Sequence, residues 1–164
     1  TLLLQMEVPA EETTALIAHA RARDARVILN LAPAAPLPAA ALRALDLLLV
    51  NESEAEWLAA DLGTGSDAAA LRASLGVDVV RTLGGDGLEA ATAAGVLRLP
   101  AHPITPVDTT AAGDCFAGVL AAALDRGLAL PDALRRANLA AGLACTRAGS
   151  QRSLPRAAEV DAAL

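Results

Sequence analysis

Short, uninterrupted apolar runs recur along this chain, and stretches with helical spacing separate them. Leu2-Leu3-Leu4-Gln5, Arg26-Val27-Ile28-Leu29-Asn30, Leu47-Leu48-Leu49-Val50 and Val77 to Leu83 have the length and composition of buried strands. Between them the pattern predicts helices over Ala10 to Arg23, Ala39 to Leu45, Asn51 to about Asp61, and from a Ser66 or Asp67 cap through Leu75. Glu11 and Glu12 suit the positive end of the first helix. Three prolines between Ala32 and Pro38 mark a loop, and Gly63-Thr64-Gly65 a break. Leu88 to Thr92 and Val96 to Leu99 read as a hairpin around Ala94-Gly95. Pro103 and Pro106 lie in an extended connector. Thr109 to Gly113 form a small-residue turn into a helix from about Gly113 to Arg126, which Gly127 ends. Helices over Leu130 to Arg147 and Ala157 to Leu164 complete the chain.

Continuous apolar strands alternating with helices indicate an α/β fold with a largely parallel sheet covered on both faces. In such sheets ligands collect beyond the carboxyl ends of the strands. The residues there are Gln5-Met6-Glu7, Asn51-Glu52-Ser53-Glu54, Gly84-Gly85-Asp86-Gly87 and Asp108 to Asp114.

Composition narrows the chemistry. The 164 residues are 54% apolar and 20% charged, as in a globular domain. No apolar run approaches the roughly 20 residues of a membrane span. All 13 basic residues are Arg, so neither a P-loop lysine nor a Schiff-base lysine is available. Trp57 and Phe116 are the only aromatics, too few for a base-stacking platform. The net charge of −6 argues against a phosphate-backbone binder. The two Cys and two His are not spaced as zinc ligands, and Cys115 and Cys145 fit a reduced, cytoplasmic protein at least as well as a disulfide. Cys115 stands at a helix start without a general base in view, and Cys145 reads as a small core residue.

The chemistry concentrates in Asp108-Thr109-Thr110-Ala111-Ala112-Gly113-Asp114. Small residues entering a helix leave several backbone N–H groups aimed at one spot, which is an anion site. Asp114 puts a carboxylate beside it. Repulsion makes that pairing poor for simple anion binding. It suits phosphoryl transfer, in which a base takes a hydroxyl proton while amides hold the migrating group. An ordinary helix with a Thr109 or Thr110 cap and a first-turn acid accounts for the same residues.

Asp-Thr-Thr-Ala-Ala-Gly-Asp-Cys-Phe-Ala-Gly, from Asp108 to Gly118, resembles the second signature of the ribokinase-like (PfkB) sugar kinase family. Gln5 to Pro9, Ile28 to Ala34, Asn51 to Glu56, Thr82 to Gly87 and Thr146 to Pro155 resemble further family segments, in family order. The likeness covers nearly all 164 residues and is nearest the ribokinase branch. It implies a three-layer α/β/α sandwich. Residues 1–164 would be the C-terminal, ATP-side part of the kinase domain, without the N-terminal strands and lid. The uncovered sheet edge of such a fragment leads us to expect weak or no sugar binding by the chain alone.

The resemblance assigns roles residue by residue. Asp114 would deprotonate the sugar's primary hydroxyl, and the amides of Ala111, Ala112 and Gly113 would form the anion hole. Asn51 and Glu54 match the family's Asn-x-x-Glu motif, which orders Mg²⁺ and its waters; the same pair also reads as a helix cap. Thr82, Gly84, Gly85, Asp86 and Gly87 would accept ATP, joined by Gly113 and by Asn138 at the adenine; a plain hairpin connector and a half-exposed polar residue are the alternatives. Glu7 would line the sugar pocket. Asp108, Thr110, Ala144, Arg147, Gly149 and Ser153 would hold K⁺, mostly through backbone carbonyls. The implied reaction is ATP-dependent phosphorylation of D-ribose to D-ribose 5-phosphate, by a full-length protein expected to form homodimers. Fructokinase, ketodeoxygluconate kinase and nucleoside kinase activities, or a nucleotide-binding fragment without catalysis, are the other readings.

Overall fold

The computed structural model describes residues 1–164. They form two compact units: Thr1–Gly84 with Leu88–Arg98, and Gly85–Gly87 with Leu99–Leu164.

The first unit carries a six-stranded sheet: β1 (Leu2–Leu4), β2 (Val27–Asn30), β3 (Leu47–Val50), β4 (Asp78–Thr82), β5 (Leu88–Thr92) and β6 (Gly95–Leu99). The strands lie side by side in sequence order. β1 to β4 are parallel, and β5 runs antiparallel to β4, with Val80 opposite Ala90. The helices of the unit are α1 (Ala10–Arg21), α2 (Ala39–Leu42), α3 (Glu52–Leu62) and α4 (Ala68–Leu75). Every crossover from β1 to β4 steps one strand in the same direction. Right-handed crossovers then put α1 to α4 on one face of the sheet. Alternate strand positions confirm it: Val27, Leu29, Leu48, Val50, Val79 and Ala91 share one core cluster with Ile17, Leu42, Leu58 and Leu71 of those helices. The intervening positions, among them Ile28, Leu49, Val80 and Ala90, are buried as well. Burial on both faces explains why the strands read as unbroken apolar runs rather than alternating ones.

Local chemistry sets the element ends. The Asp67 carboxylate accepts the Ala70 N–H at 2.9 Å and caps α4. Gly63 and Gly76 end α3 and α4 in the left-handed region. Glu89, buried on β5, accepts the Ala68 N–H at 2.9 Å and faces Arg81 at 3.4 Å and Arg98 at 3.5 Å. Trp57 is half-buried against the core cluster. Because β1 to β4 are parallel, Glu7, Asn51 and Gly84 all follow strand ends at the same edge of this sheet.

The second unit holds α5 (Ala112–Asp125), α6 (Leu130–Cys145) and α7 (Ala157–Ala163). Phe116, Leu120 and Leu124 are buried on α5. Val160 of α7 packs in a cluster with Cys115, Leu139, Ala140 and Ala144.

Several boundaries differ from the sequence expectation. α6 stops at Cys145 rather than Arg147, because the Thr146 and Arg147 N–H groups donate three residues back, to Leu143 and Ala144. α1 ends at Arg21, followed by a turn in which Asp24 is left-handed. α2 is one turn, closing at Leu42. β6 begins at Gly95, since the Thr92 hydroxyl accepts the Ala94 N–H and tightens the turn before it. Cys145 is half-buried, so it is not a core residue.

Candidate active site

The start of α5 is built from the connector before it. The Val107 and Asp108 N–H groups both donate to the Cys145 carbonyl, at 2.8 and 3.2 Å, which docks the connector on the end of α6. The Asp108 carboxylate then accepts the Thr110 N–H at 2.9 Å through Oδ1 and the Gly149 N–H at 2.9 Å through Oδ2. The Thr110 hydroxyl, then the Gly149 and Thr110 amides, hold Asp108 down to a pKa of about 2.

That shift predicts a stability limb. In the unfolded chain Asp108 titrates near 3.8, so its contribution is complete above that pH and is lost as pH falls through about 2. Asp108→Asn should lower the melting temperature at pH 5, where its amide meets the Gly149 N–H donor to donor. The gap to the parent should close toward pH 2, measured by thermal unfolding at both pH values. A gap that stays constant would refute the assignment.

Ala111 follows in the left-handed region, with φ +61°. A non-glycine residue there costs about 1–2 kcal/mol and marks sites where geometry outranks comfort. It turns the chain so that α5 starts at Ala112. The Ala112 N–H donates to the Thr109 carbonyl at 3.2 Å, and that of Cys115 to Ala111 at 2.9 Å. The bond to Thr109 withdraws Ala112 from the expected anion hole, whereas the Ala111 and Gly113 N–H groups, and that of Asp114, have no partner in the chain. Asp114, at the third position of α5, is exposed and makes no hydrogen bond or ion pair. A carboxylate thus stands within one helical turn of unpartnered amides. Cys115, the next residue, is pushed up to about 11 by burial, then by the charges of Cys145 and Asp114, which makes it an inert thiol.

In the first unit, Asn51 caps α3. Its Oδ1 accepts the Glu54 N–H at 2.9 Å, while the Glu54 carboxylate accepts the Asn51 N–H and Nδ2–H, each at 2.8 Å. Burial raises the Glu54 pKa against these hydrogen bonds. The helix-cap reading is therefore real. It leaves each carboxylate oxygen a further lone pair for a ligand.

The glycines after β4 differ in kind. A Cβ on Gly87 would lie 2.0 Å from the Leu99 carbonyl oxygen and 2.6 Å from the Ala101 nitrogen, and its φ is +99°. Packing of its own unit requires that glycine. A Cβ on Gly85 or Gly113 would meet nothing within 4 Å, and neither has a positive φ. Nothing in the chain requires glycine there, whereas close approach of a ligand would. Thr82 reaches the Val50 carbonyl at 3.5 Å, Gly84 is left-handed, and Asp86 ends the short 3₁₀ turn. Glu7 is exposed on the bend after β1. Asn138 donates one Nδ2–H to the Pro100 carbonyl at 2.7 Å, which ties α6 to the connector and leaves its second N–H and its oxygen for a ligand.

The remaining expected residues gather around the end of α6. Ala144 is buried and accepts the Arg147 N–H. Ser153 is fully buried and donates to the Ser150 carbonyl at 2.7 Å. The Arg147 guanidinium bonds Glu159 of α7. Sequence reasoning missed Glu159 and the Asp108–Gly149 contact. Arg156 carries no acceptor to mark a helix cap, and no local feature joins positions 41 apart.

The model of the pfkB family of carbohydrate kinases matches residues 1–157. The chain belongs to that family. This pfkB-family chain is 34% identical over 160 residues to a ribokinase of Bacillus subtilis, covering 98% of itself and 53% of that protein. Its backbone matches a ribokinase of Thermotoga maritima with a TM-score of 0.91 at 35% identity, over 98% of this chain and 55% of the other. It matches an Arabidopsis thaliana ribokinase solved with ribose and ATP with a TM-score of 0.89 at 28% identity, over 98% and 54%. The expected ribokinase-like α/β fold is thereby confirmed, and the chain spans about half the length of the relatives it matches.

The residues also bear on the metals the family implies. No three His, Cys, Asp or Glu side chains cluster into a protein cage. Mg²⁺ rarely uses one, since it keeps its waters and binds through one or two carboxylates and substrate phosphates. The pre-ordered Asn51–Glu54 pair fits that donor chemistry. At the loop, the ionised Asp108 carboxylate is a hard oxygen donor of the kind an alkali cation takes.

Proposed function

We propose that the protein transfers the γ-phosphoryl group of ATP to the primary hydroxyl of a sugar, D-ribose to D-ribose 5-phosphate. The observation that carries this reading is the start of α5: an unpaired, exposed Asp114 one turn from unpartnered amides, behind a left-handed Ala111. The Asp114 carboxylate accepts the hydroxyl proton as the sugar oxygen bonds to the γ-phosphorus. The bond from that phosphorus to the β–γ bridging oxygen breaks, and ADP departs. The Ala111, Gly113 and Asp114 N–H groups donate to the oxygens of the group in flight, where charge builds up. Asn51 and Glu54 would hold waters of a Mg²⁺ ion, which when bound neutralises phosphate oxygens. This matters in a chain without a single lysine to do so. Gly85 and Gly113 leave backbone open to ATP, with Thr82, Gly84, Asp86 and the Asn138 oxygen as further contacts. Asp108, Thr110, Ala144, Arg147, Gly149 and Ser153 would hold K⁺ and keep the turn before α5 in place. Glu7 would contact the sugar.

Ribokinases among its relatives favour ribose over fructose, ketodeoxygluconate or a nucleoside. A chain of about half their length supports a second reading, nucleotide binding without turnover by these residues alone. A panel of sugars with ATP and Mg²⁺, with and without K⁺, separates the readings. Ribose is expected to turn over fastest in the whole protein and poorly with the 164-residue chain alone. Equal rates with ribose and fructose would overturn the ribose assignment, and robust ribose turnover by the 164 residues alone the fragment reading.

A further inference from the structure

Between the end of α6 and the start of α7 the chain runs through residues 146–156 without helix or strand. Segments of that kind are held by specific ties or move. Gly149 is tied to the Asp108 carboxylate and Ser153 to the Ser150 carbonyl. The Thr146 and Arg147 N–H groups hold its start to the end of α6. A further tie is one side chain. Glu159 accepts from the Arg147 guanidinium through Oε1, and from the Arg156 backbone N–H through Oε2 at 2.7 Å. A single carboxylate therefore joins the two ends of the stretch that contains Gly149 and Ser153. Its neighbour Val160 is buried with Cys115, Ala140 and Ala144, so Glu159 is mounted on an anchored helix.

We propose that Glu159 is a positioning residue for the cation-binding loop, closing the loop at its base so that Gly149 stays on Asp108. The inference rests on the reading of this loop as the monovalent-cation site. Arg147 and Glu159 are 41% and 39% exposed, and exposed pairs contribute little to global stability. The role is therefore local. Losing the carboxylate frees the loop without unfolding the protein.

Trypsin reads the loop directly, since Arg152 lies within it. Cleavage after Arg152 is followed in the whole protein while KCl replaces tetramethylammonium chloride at constant ionic strength, which holds screening fixed. K⁺ is expected to slow cleavage in the parent. Glu159→Gln and Glu159→Ala should be cut about tenfold faster without K⁺ and need about tenfold more K⁺ for half-protection, with melting temperatures within about 3 °C of the parent. The exchange Arg147→Glu with Glu159→Arg should restore part of both. Unchanged cleavage and an unchanged K⁺ midpoint in the Glu159 variants would overturn the inference. A parent that K⁺ leaves equally sensitive would overturn the cation reading, and the K⁺-free cleavage rates would still judge whether Glu159 closes the loop.

Discussion

Asp114→Asn is expected to lower kcat with ribose by about 10²- to 10⁴-fold while leaving the fold intact. The size follows from the role. Asparagine matches the shape of aspartate but cannot take the hydroxyl proton, and a general base supplies about 3–5 kcal/mol of barrier lowering. The fold should tolerate the change because the Asp114 side chain is exposed and bonds to nothing. Only its favourable place in the first turn of α5 is lost, about 0.3–1 kcal/mol. The unpartnered amides remain in the variant, so ATP binding should change little. Steady-state kinetics with a binding measurement tests this. A kcat within tenfold of the parent would remove Asp114 from the reaction and with it the phosphoryl-transfer reading of this turn.

Gly87→Ala should act on the fold instead. The new methyl would sit 2.0 Å from the Leu99 carbonyl oxygen and 2.6 Å from backbone atoms of Pro100 and Ala101, where no flexible side chain can yield. The φ of +99° adds strain for any side chain. We expect a loss of at least about 3 kcal/mol, a drop in melting temperature of about 6–12 °C. Gly113→Ala is the contrasting variant. Its methyl has free space, and alanine favours a helix by up to about 1 kcal/mol over glycine. That variant should melt no lower than the parent and still lose ATP-dependent turnover, because the methyl occupies the space a phosphate would need. Thermal unfolding and turnover on the two variants test both. Equal melting temperatures for the pair would contradict the packing at Gly87, and full activity in Gly113→Ala the approach of a ligand at α5.

Much of this is legible in the sequence. Strands and helices stood out because burial on both faces of β2 and β3 leaves unbroken runs such as Val27-Ile28-Leu29 and Leu47-Leu48-Leu49. The caps at Asn51 and Asp67 were legible because capping is settled within three or four residues. The motif from Asp108 to Gly118 was legible for a related reason. A small-residue turn into a helix, with an acid in its first turn, is a local device that the chain spells out in order.

What the sequence left open depends on residues far apart in the chain. Ala111 in the left-handed region runs against its own preference. Asp108, held by Gly149 some 41 positions away, stabilises the turn in which it sits. Gly85 and Gly87 look alike as letters, and only the passage of Leu99 to Ala101 beside Gly87 shows which one the packing needs. Asn138 read as a wholly free amide until one of its N–H groups met the Pro100 carbonyl. Glu159 drew no attention in the sequence, and only the fold shows one carboxylate reaching both Arg147 and Arg156. The sequence by itself determined the elements, their caps and the family motif, because short-range sterics and hydrogen bonds act between near neighbours. Tertiary structure decided which amides stay free, which glycines are structural and what holds the loop at Asp108, because those outcomes depend on groups that only folding brings within hydrogen-bonding distance.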